Sequence, residues 1–217
     1  MLVPLLAQLG ERLEMLVLSH SDQDHVGGAR AVLDMQPGAQ LLSSLSPDHP
    51  LTQGRARTPC AAGQFWQWDG VRFEVLHPLP GDDARLGKSN AHSCVLRIES
   101  AGGSALLAGD IEAGQERDLL ERGILPVNVL LVPHHGSRTS STPAFLQVLR
   151  PDLAVVQAGY RNRFGHPAPD VVARYQDLRV PLVDSAHCGA LHWQSHTPRQ
   201  WQCERDRARR YWHHVPP

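Results

Sequence analysis

Apolar residues in the first half of this chain come in short runs with sharp ends. Residues 2–9 (LVPLLAQL) read as a brief helix stopped by Gly10, and residues 13–18 (LEMLVL) form a compact run of the kind a buried strand shows. That run breaks into the polar segment HSDQDH at 20–25, followed by Val26-Gly27-Gly28 and a helix-like stretch over 29–35. Residues 39–42 predict another strand, and the turn-rich segment 46–63 predicts a surface loop. Residues 65–68 and 71–76 alternate around Asp69-Gly70, a hairpin signal. Residues 94–98 and 105–108 flank Ala101-Gly102-Gly103 and predict a second hairpin.

The second half has a different rhythm. Helix-like segments at 112–122 (closed by Gly123), 142–149 and 170–178 alternate with apolar strands at 127–132 and 153–157. Ser141 is the expected N-cap of the 142–149 helix, with Pro143 in its first turn. Residues 182–184 and 190–193 predict late strands. Hairpins first and strand–helix alternation later predict an α+β fold of sheets sandwiched between helices. The organisation expected is one domain over 1–200 and a basic, solvated tail over 201–217, with Arg205 to Arg210 as its charged part.

The 217 residues, 41% hydrophobic and 20% charged, suffice for one globular domain with a core able to hold a site rigidly. The formal net charge of −1 singles out no partner, so a nucleic acid would need a local basic patch. No apolar run approaches the roughly 18 residues of a membrane span, and no secretion signal opens the chain. Cys60, Cys94, Cys188 and Cys203 are widely spaced with no CxxC pair, which argues against a thiolate zinc cluster and a dense disulfide framework. The redox compartment stays open.

The 13 histidines carry the chemistry, because several stand at the ends of apolar strands. LVLS runs into HSDQDH, LLA into Gly109-Asp110, LLVP into His134-His135-Gly136-Ser137, and VVQAG leads towards Gly165-His166-Pro167. Strands feeding polar residues into one crevice are how such scaffolds build sites. His20-x-Asp22-x-Asp24-His25 offers four ligands in six residues, enough for two adjacent ions. Imidazole and carboxylate suit zinc, manganese or iron. An acidic turn capping the helix at 29–35 is the rival reading of the same segment. Asp110, beside a glycine, suits a bridging carboxylate. Of His134 and His135, one is expected to ligate and the other to contact substrate or donate a proton. His92 reads as decoration of a strand edge. His49, His77, His187, His192, His196, His213 and His214 read as surface or packing residues. No G-x-S-x-G elbow, Walker A loop or G-x-G-x-x-G fingerprint is present.

HSDQDHVGG resembles the H-x-[HD]-x-DH-x-GG signature of the metallo-β-lactamase superfamily. The ordered set SHSDQDHVGG, Lys88-Ser89-Asn90 with Ser93-Cys94-Val95-Leu96, LLAGDIE, LLVPHHGSRTSS and Gly165-His166-Pro167 is more specific. From about residue 2 to about 193 it resembles the C-terminal hydrolase domain of ComEC-type DNA internalisation competence proteins. The resemblance implies a metallo-β-lactamase αββα sandwich with its site at one edge of the two sheets. It implies two divalent ions, zinc or manganese, held by His20, Asp22, Asp24, His25 and Asp110, with His134 or His135 as the late histidine. His135 is counted among the ligands, and Asp24, His134 and His135 among the catalytic groups. Asn90, Ser93, Ser137 and His166 are expected at the substrate.

Two departures from the family pattern bear on the metals. Asp22 stands where the usual signature has a second histidine, which hardens the site towards manganese. The third-motif histidine is replaced around Asn90–Ser93, which predicts that one ion is weakly held. Family members also carry opening strands, including an LDVGQGD-like segment, so the chain reads as an N-terminally truncated piece of the domain, with a sheet edge unpaired. The function implied is a metal-dependent phosphodiesterase of the natural competence machinery that degrades the non-imported DNA strand. Its partners would be DNA, preferably single-stranded, and the membrane-embedded channel portion of the same inner-membrane protein, this chain by itself being soluble. The rival readings are an esterase or lactonase on a small substrate, and a non-catalytic, metal-stabilised interaction module.

Overall fold

A computed structural model describes residues 2–82 and 87–209. In chain order its elements are α1 (Leu2–Leu9), β1 (Met15–Leu18), α2 (Gln23–Val26), α3 (Ala29–Met35), β2 (Gln40–Ser43), β3 (Arg57–Pro59), β4 (Phe65–Trp68), β5 (Val71–His77), β6 (Val95–Ser100) and β7 (Gly103–Leu107). There follow α4 (Ala113–Glu121), β8 (Val129–Leu131), α5 (Pro143–Leu149), β9 (Leu153–Val156), α6 (Pro169–Asp177), β10 (Leu182–Asp184), α7 (Ser185–Cys188), β11 (Leu191–Trp193), β12 (Trp201–Cys203) and α8 (Glu204–Arg207). Short 3-10 turns stand at Ser89–His92 and Pro133–Gly136.

Two sheets form the middle of the fold. The smaller is parallel, in the order β1-β2-β3; the larger runs β10-β9-β8-β7-β6-β5-β4. Both expected hairpins are present in the larger sheet, β4 against β5 and β6 against β7. Beyond β7 the pairing turns parallel, as strand–helix alternation requires. Strand alternation sorts β6 between two environments. Leu96 and Ile98 join Leu42, Cys60 and Val75 in the apolar layer between the sheets, while Val95 faces the helices with Leu106 and Leu130. On that outer face α4, α5 and α6 bring Leu119, Phe145, Leu149, Val171 and Tyr175 into one core. Across the molecule Val26, Ala29 and Leu33 cover the smaller sheet through Leu18 and Leu41. The layering is therefore helix, sheet, sheet, helix: the expected α+β sandwich.

Three sequence expectations need correction, and the cysteines show a pairing the sequence left open. β3 lies inside the segment expected to be loop; Pro59 closes it at a sheet edge, where a missing N–H costs no ladder bond. The cap of α5 is Thr142, whose hydroxyl accepts from Phe145 N, whereas Ser141 adopts φ 56° and meets the Tyr175 hydroxyl. All four cysteines pair, as Cys60–Cys94 and Cys188–Cys203. Wide spacing was no obstacle, because sheet packing brings the Cα atoms to 5.8 and 4.7 Å. Residues 201–207, read as the start of a solvated tail, instead form β12 on β11 and then α8. Arg210, His213 and His214 lie outside the described residues.

Candidate metal centre

The site forms where strands end. β1 leads into His20, β7 into Gly109-Asp110 and β8 into the turn that carries His134 and His135. Gly109 holds φ 57°, and a Cβ there would lie 2.9 Å from Ser93 Cβ, so only glycine brings these two segments so close. His134 and His135 sit at φ 51° and 54°, left-handed conformations that cost a non-glycine residue energy and mark a backbone held by its surroundings. The same turn fits because Gly136 presents hydrogen, not carbon, to Pro167.

Asp110 is the hub. One carboxylate oxygen lies 3.3 Å from His25 Nε2, and the other lies 3.4 Å from His135 Nε2 and 3.8 Å from His20 Nε2. Asp22 reaches His20 Nε2 at 3.7 Å, and Asp24 reaches His135 Nε2 at 3.1 Å and His25 Nε2 at 3.8 Å. Donor atoms thus fall into two overlapping groups: His20, His25 and Asp110; and Asp24, His25 and His135.

The outer hydrogen bonds hold each ring by its Nδ1. Ser19 Oγ lies 3.0 Å from His20 Nδ1 and 3.1 Å from His25 Nδ1, within hydrogen-bond reach of both rings. His135 Nδ1 is 2.7 Å from the Gln157 carbonyl, which only accepts, so Nδ1 carries the hydrogen. All three Nε2 atoms point inwards. His25 and His135 bring theirs to 3.2 Å from each other, and His20 Nε2 is buried without a hydrogen-bond partner. Nitrogens so placed share a proton with the neighbouring carboxylates or hold a cation in its place. The donor set fits hard or borderline divalent ions.

The electrostatics agree. Burial works against ionisation of Asp110, but hydrogen bonds from His135 and His25 outweigh it and hold the carboxyl far below its ordinary range. His135 is pushed up to about 9, chiefly by its hydrogen bond to Asp110 and against its burial. The carboxylates therefore call for positive charge at His135 Nε2. His20, buried and next to His25, is driven the other way and kept neutral, as a ligand must be.

The remaining expected residues divide. His134 Nε2 faces the Asn90 amide at 3.2 Å, and its Nδ1 lies 3.1 Å from Thr139 Oγ1 and 3.5 Å from Glu112. It is absent from both donor groups. A cavity of about 810 Å³ opens over Asp24, Asp110, His134 and His135, with Phe164 and His166 also in its wall. Asn90, Ser93 and Ser137 do not line it. Ser93 was expected at the substrate; it is wholly buried, accepts from Asp110 N at 2.9 Å and lies 3.4 Å from His20 Nδ1. Ser137, also expected there, is buried and turned to Thr139. His92 belongs to neither donor group.

Several participants escaped sequence reading. Ser89 donates to Asp22, Ser19 orients two rings, and Glu112 and Thr139 hold His134. Ser19 precedes His20 directly, so its place in SHSDQDH was the available signal. Gln157 acts through its backbone and left none.

The metallo-β-lactamase superfamily model matches residues 3–160. Recombination protein 2 of Haemophilus influenzae is 35% identical over 190 residues, 88% of this chain and 23% of that protein. Competence protein ComA of Neisseria gonorrhoeae is 37% identical over 195 residues, 88% of this chain and 27% of that protein. The chain thus spans about a quarter of the length of these relatives. A metal-dependent hydrolase structure from Parabacteroides distasonis shares the fold, with TM-score 0.51, 12% identity and coverage of 81% of this chain and 77% of that one. The strand-end cluster, the sandwich and the match over most of the chain lead to one conclusion: the protein belongs to the metallo-β-lactamase superfamily.

Proposed function

We propose that this domain is a two-metal phosphodiesterase that cuts DNA, serving a DNA-uptake machinery by degrading the strand that is not taken up. The observation that carries the reading is the Asp110 carboxylate, whose two oxygens lie 3.3 Å from His25 Nε2 and 3.4 Å from His135 Nε2 on the floor of an open cavity, beside two donor groups that meet at His25. His20, Asp22 and Asp110 would hold one ion, and Asp24, His25 and His135 the other. Manganese and zinc both suit these donors. Bound divalent pairs supply an acidified water and neutralise charge on phosphate oxygens.

The chain's own groups do the rest. Asp110 would turn one carboxylate oxygen towards His25 and the other towards His135 and His20, and Ser93 fixes Asp110 and His20 in turn. Asp24 faces the cavity and is assigned to orient the attacking water. His134 is assigned to steady the leaving oxygen, its Nε2 exchanging Asn90 for that atom while Thr139 and Glu112 hold the other side of the ring. The identity to competence proteins supports DNA as the phosphodiester and the membrane-embedded remainder of such a protein as the partner. Among the described residues no helix is long and apolar enough to cross a membrane, so that anchor is assigned to a separate segment.

The test is a labelled single-stranded oligonucleotide incubated with protein loaded with Mn²⁺ or Zn²⁺, with Asp24→Ala prepared in parallel. Cutting that stops with EDTA and falls at least a hundredfold in Asp24→Ala supports the reading. Intact DNA alongside hydrolysis of a small phosphoester or lactone sinks it in favour of an esterase.

A further inference from the structure

The segment from Gly159 to His166 carries features that metal binding does not use. It presents Phe164, 66% exposed, and Tyr160, 40% exposed, beside the cavity that opens over Asp24 and Asp110. An arginine lies over each ring: Arg163 Cζ stands 4.7 Å above the Phe164 centroid and Arg161 Cζ 5.3 Å above that of Tyr160, where a bound base would displace the guanidinium towards a phosphate. Neither arginine has a carboxylate partner among the described residues. The His166 ring stacks on Phe164 at 5.8 Å and 17°, and its other contact is edgewise to His134 at 6.0 Å. Phe164 is thus coupled to the metal centre through two rings.

The loop is built to keep this arrangement. Asn162 Oδ1 accepts from His166 N at 3.0 Å, Asn162 Nδ2 donates to the Gly159 carbonyl at 3.1 Å, and Gly165 N donates to the Asn162 carbonyl at 3.1 Å. A large apolar ring left exposed on a self-bonded loop loses little freedom when it meets a ligand.

We propose that Phe164, backed by His166 and flanked by Arg163 and Arg161, is a stacking platform for an unpaired nucleobase, and that it selects single-stranded over duplex DNA. The inference rests on the phosphodiesterase reading and deepens it. A flat aromatic face with adjacent guanidinium groups matches one nucleotide: the ring takes the base, and the free cations take neighbouring phosphates. Every base has a π-face, so the platform confers no sequence preference. A paired base keeps both faces stacked within its helix and has none to offer. Phe164, Arg161 and Arg163 are substrate-positioning residues in this scheme, distinct from the groups at the reacting phosphate.

The test separates binding from cutting. Fluorescence anisotropy with EDTA-treated protein compares a labelled pentathymidylate with an abasic pentamer of equal charge. The intact strand is expected to bind about tenfold more tightly, the order of one stacked base. Phe164→Ala should abolish that preference and Phe164→Trp should restore it, while Arg163→Gln should weaken both strands and flatten the salt dependence. Equal affinity of the natural protein for the two strands overturns the platform, as does a preference that survives Phe164→Ala. Failure to bind either strand overturns it too, as a protein-docking loop would predict. Turnover of bis-p-nitrophenyl phosphate by the metal-loaded protein is read separately, since that ester lacks a base. No turnover with the base preference intact would discard the phosphodiesterase reading and leave the platform standing.

Discussion

Removal of the Cys60–Cys94 disulfide should weaken both the fold and the metal centre, whereas removal of Cys188–Cys203 should weaken the fold alone. The first bridge joins the segment after β3 to the start of β6, across the apolar layer between the two sheets, with both cysteines buried. It closes 34 residues, against 15 for the second. Chain-entropy accounting assigns about 4 kcal/mol to the longer loop and about 3 kcal/mol to the shorter. For a chain of this length the larger figure corresponds to a fall in Tm on the order of 10 °C. The site separates the two bridges. Cys94 N donates to the Ser19 carbonyl at 2.8 Å, and Ser93 next door holds Asp110 N and faces His20. Slack at Cys94 reaches the hydroxyls that orient His20, His25 and Asp110, and loss of such outer contacts costs about 10–100-fold in metal affinity. The variants are Cys60→Ala/Cys94→Ala and Cys188→Ala/Cys203→Ala. Guanidinium unfolding gives stability, and titration against a competing chelator gives affinity. Both double variants should lose roughly 2–4 kcal/mol, but only the first should bind metal more weakly. Equal metal affinities in the two would refute the coupling from Cys94 to the site, and unchanged stability would refute the bridge itself.

Two other outcomes follow from the geometry. Asp110→Ala, which removes the carboxylate lying within 3.4 Å of both His25 and His135, should lower metal content measured by elemental analysis, whereas His92→Ala should leave it unchanged; equal losses would mean the hub is misassigned. Gly109→Ala must place a methyl 2.9 Å from Ser93 Cβ at φ 57°, so calorimetry should record a loss of at least about 2 kcal/mol, and a neutral substitution would contradict the close approach.

What the sequence made legible was whatever local patterning determines. The Asp69-Gly70 turn takes the left-handed conformations that its residue types favour, and β4 and β5 pair around it. The strand-end placement of His20, Asp110 and His135 was readable because an apolar run that stops at a charged residue points to a sheet edge. Features owed to tertiary pairing were silent. β3 is three residues long and exists because β2 offers its edge, with Arg57 Nη1 reaching the Ser43 carbonyl at 3.2 Å. β12 likewise has no apolar run of its own and forms against β11. Ser93 was misread because a hydroxyl near a site looks like a substrate contact. Its complete burial instead sets it against Asp110 N and His20 Nδ1.

The disulfides also bear on which strand the proposed nuclease would meet. Structural disulfides persist in oxidising surroundings and are rare where cellular thiols are kept reduced. All four cysteines of this chain are paired, and one pair lies in the layer that supports the metal centre. Such pairing suits an oxidising compartment, which on the proposed reading would be the outer side of the membrane that the DNA crosses. DNA on that side has not yet passed through the channel. A nuclease there acts on a strand before or during its separation from the one that enters, and spares DNA already inside. A stacking platform sharpens the same discrimination, because a duplex hides its bases until the strands part. On the proposed reading, the exposed aromatic ring and the metal centre would serve one task, removal of the strand left behind, and hydrolysis of a small ester by the metal-loaded protein with DNA left intact would refute it.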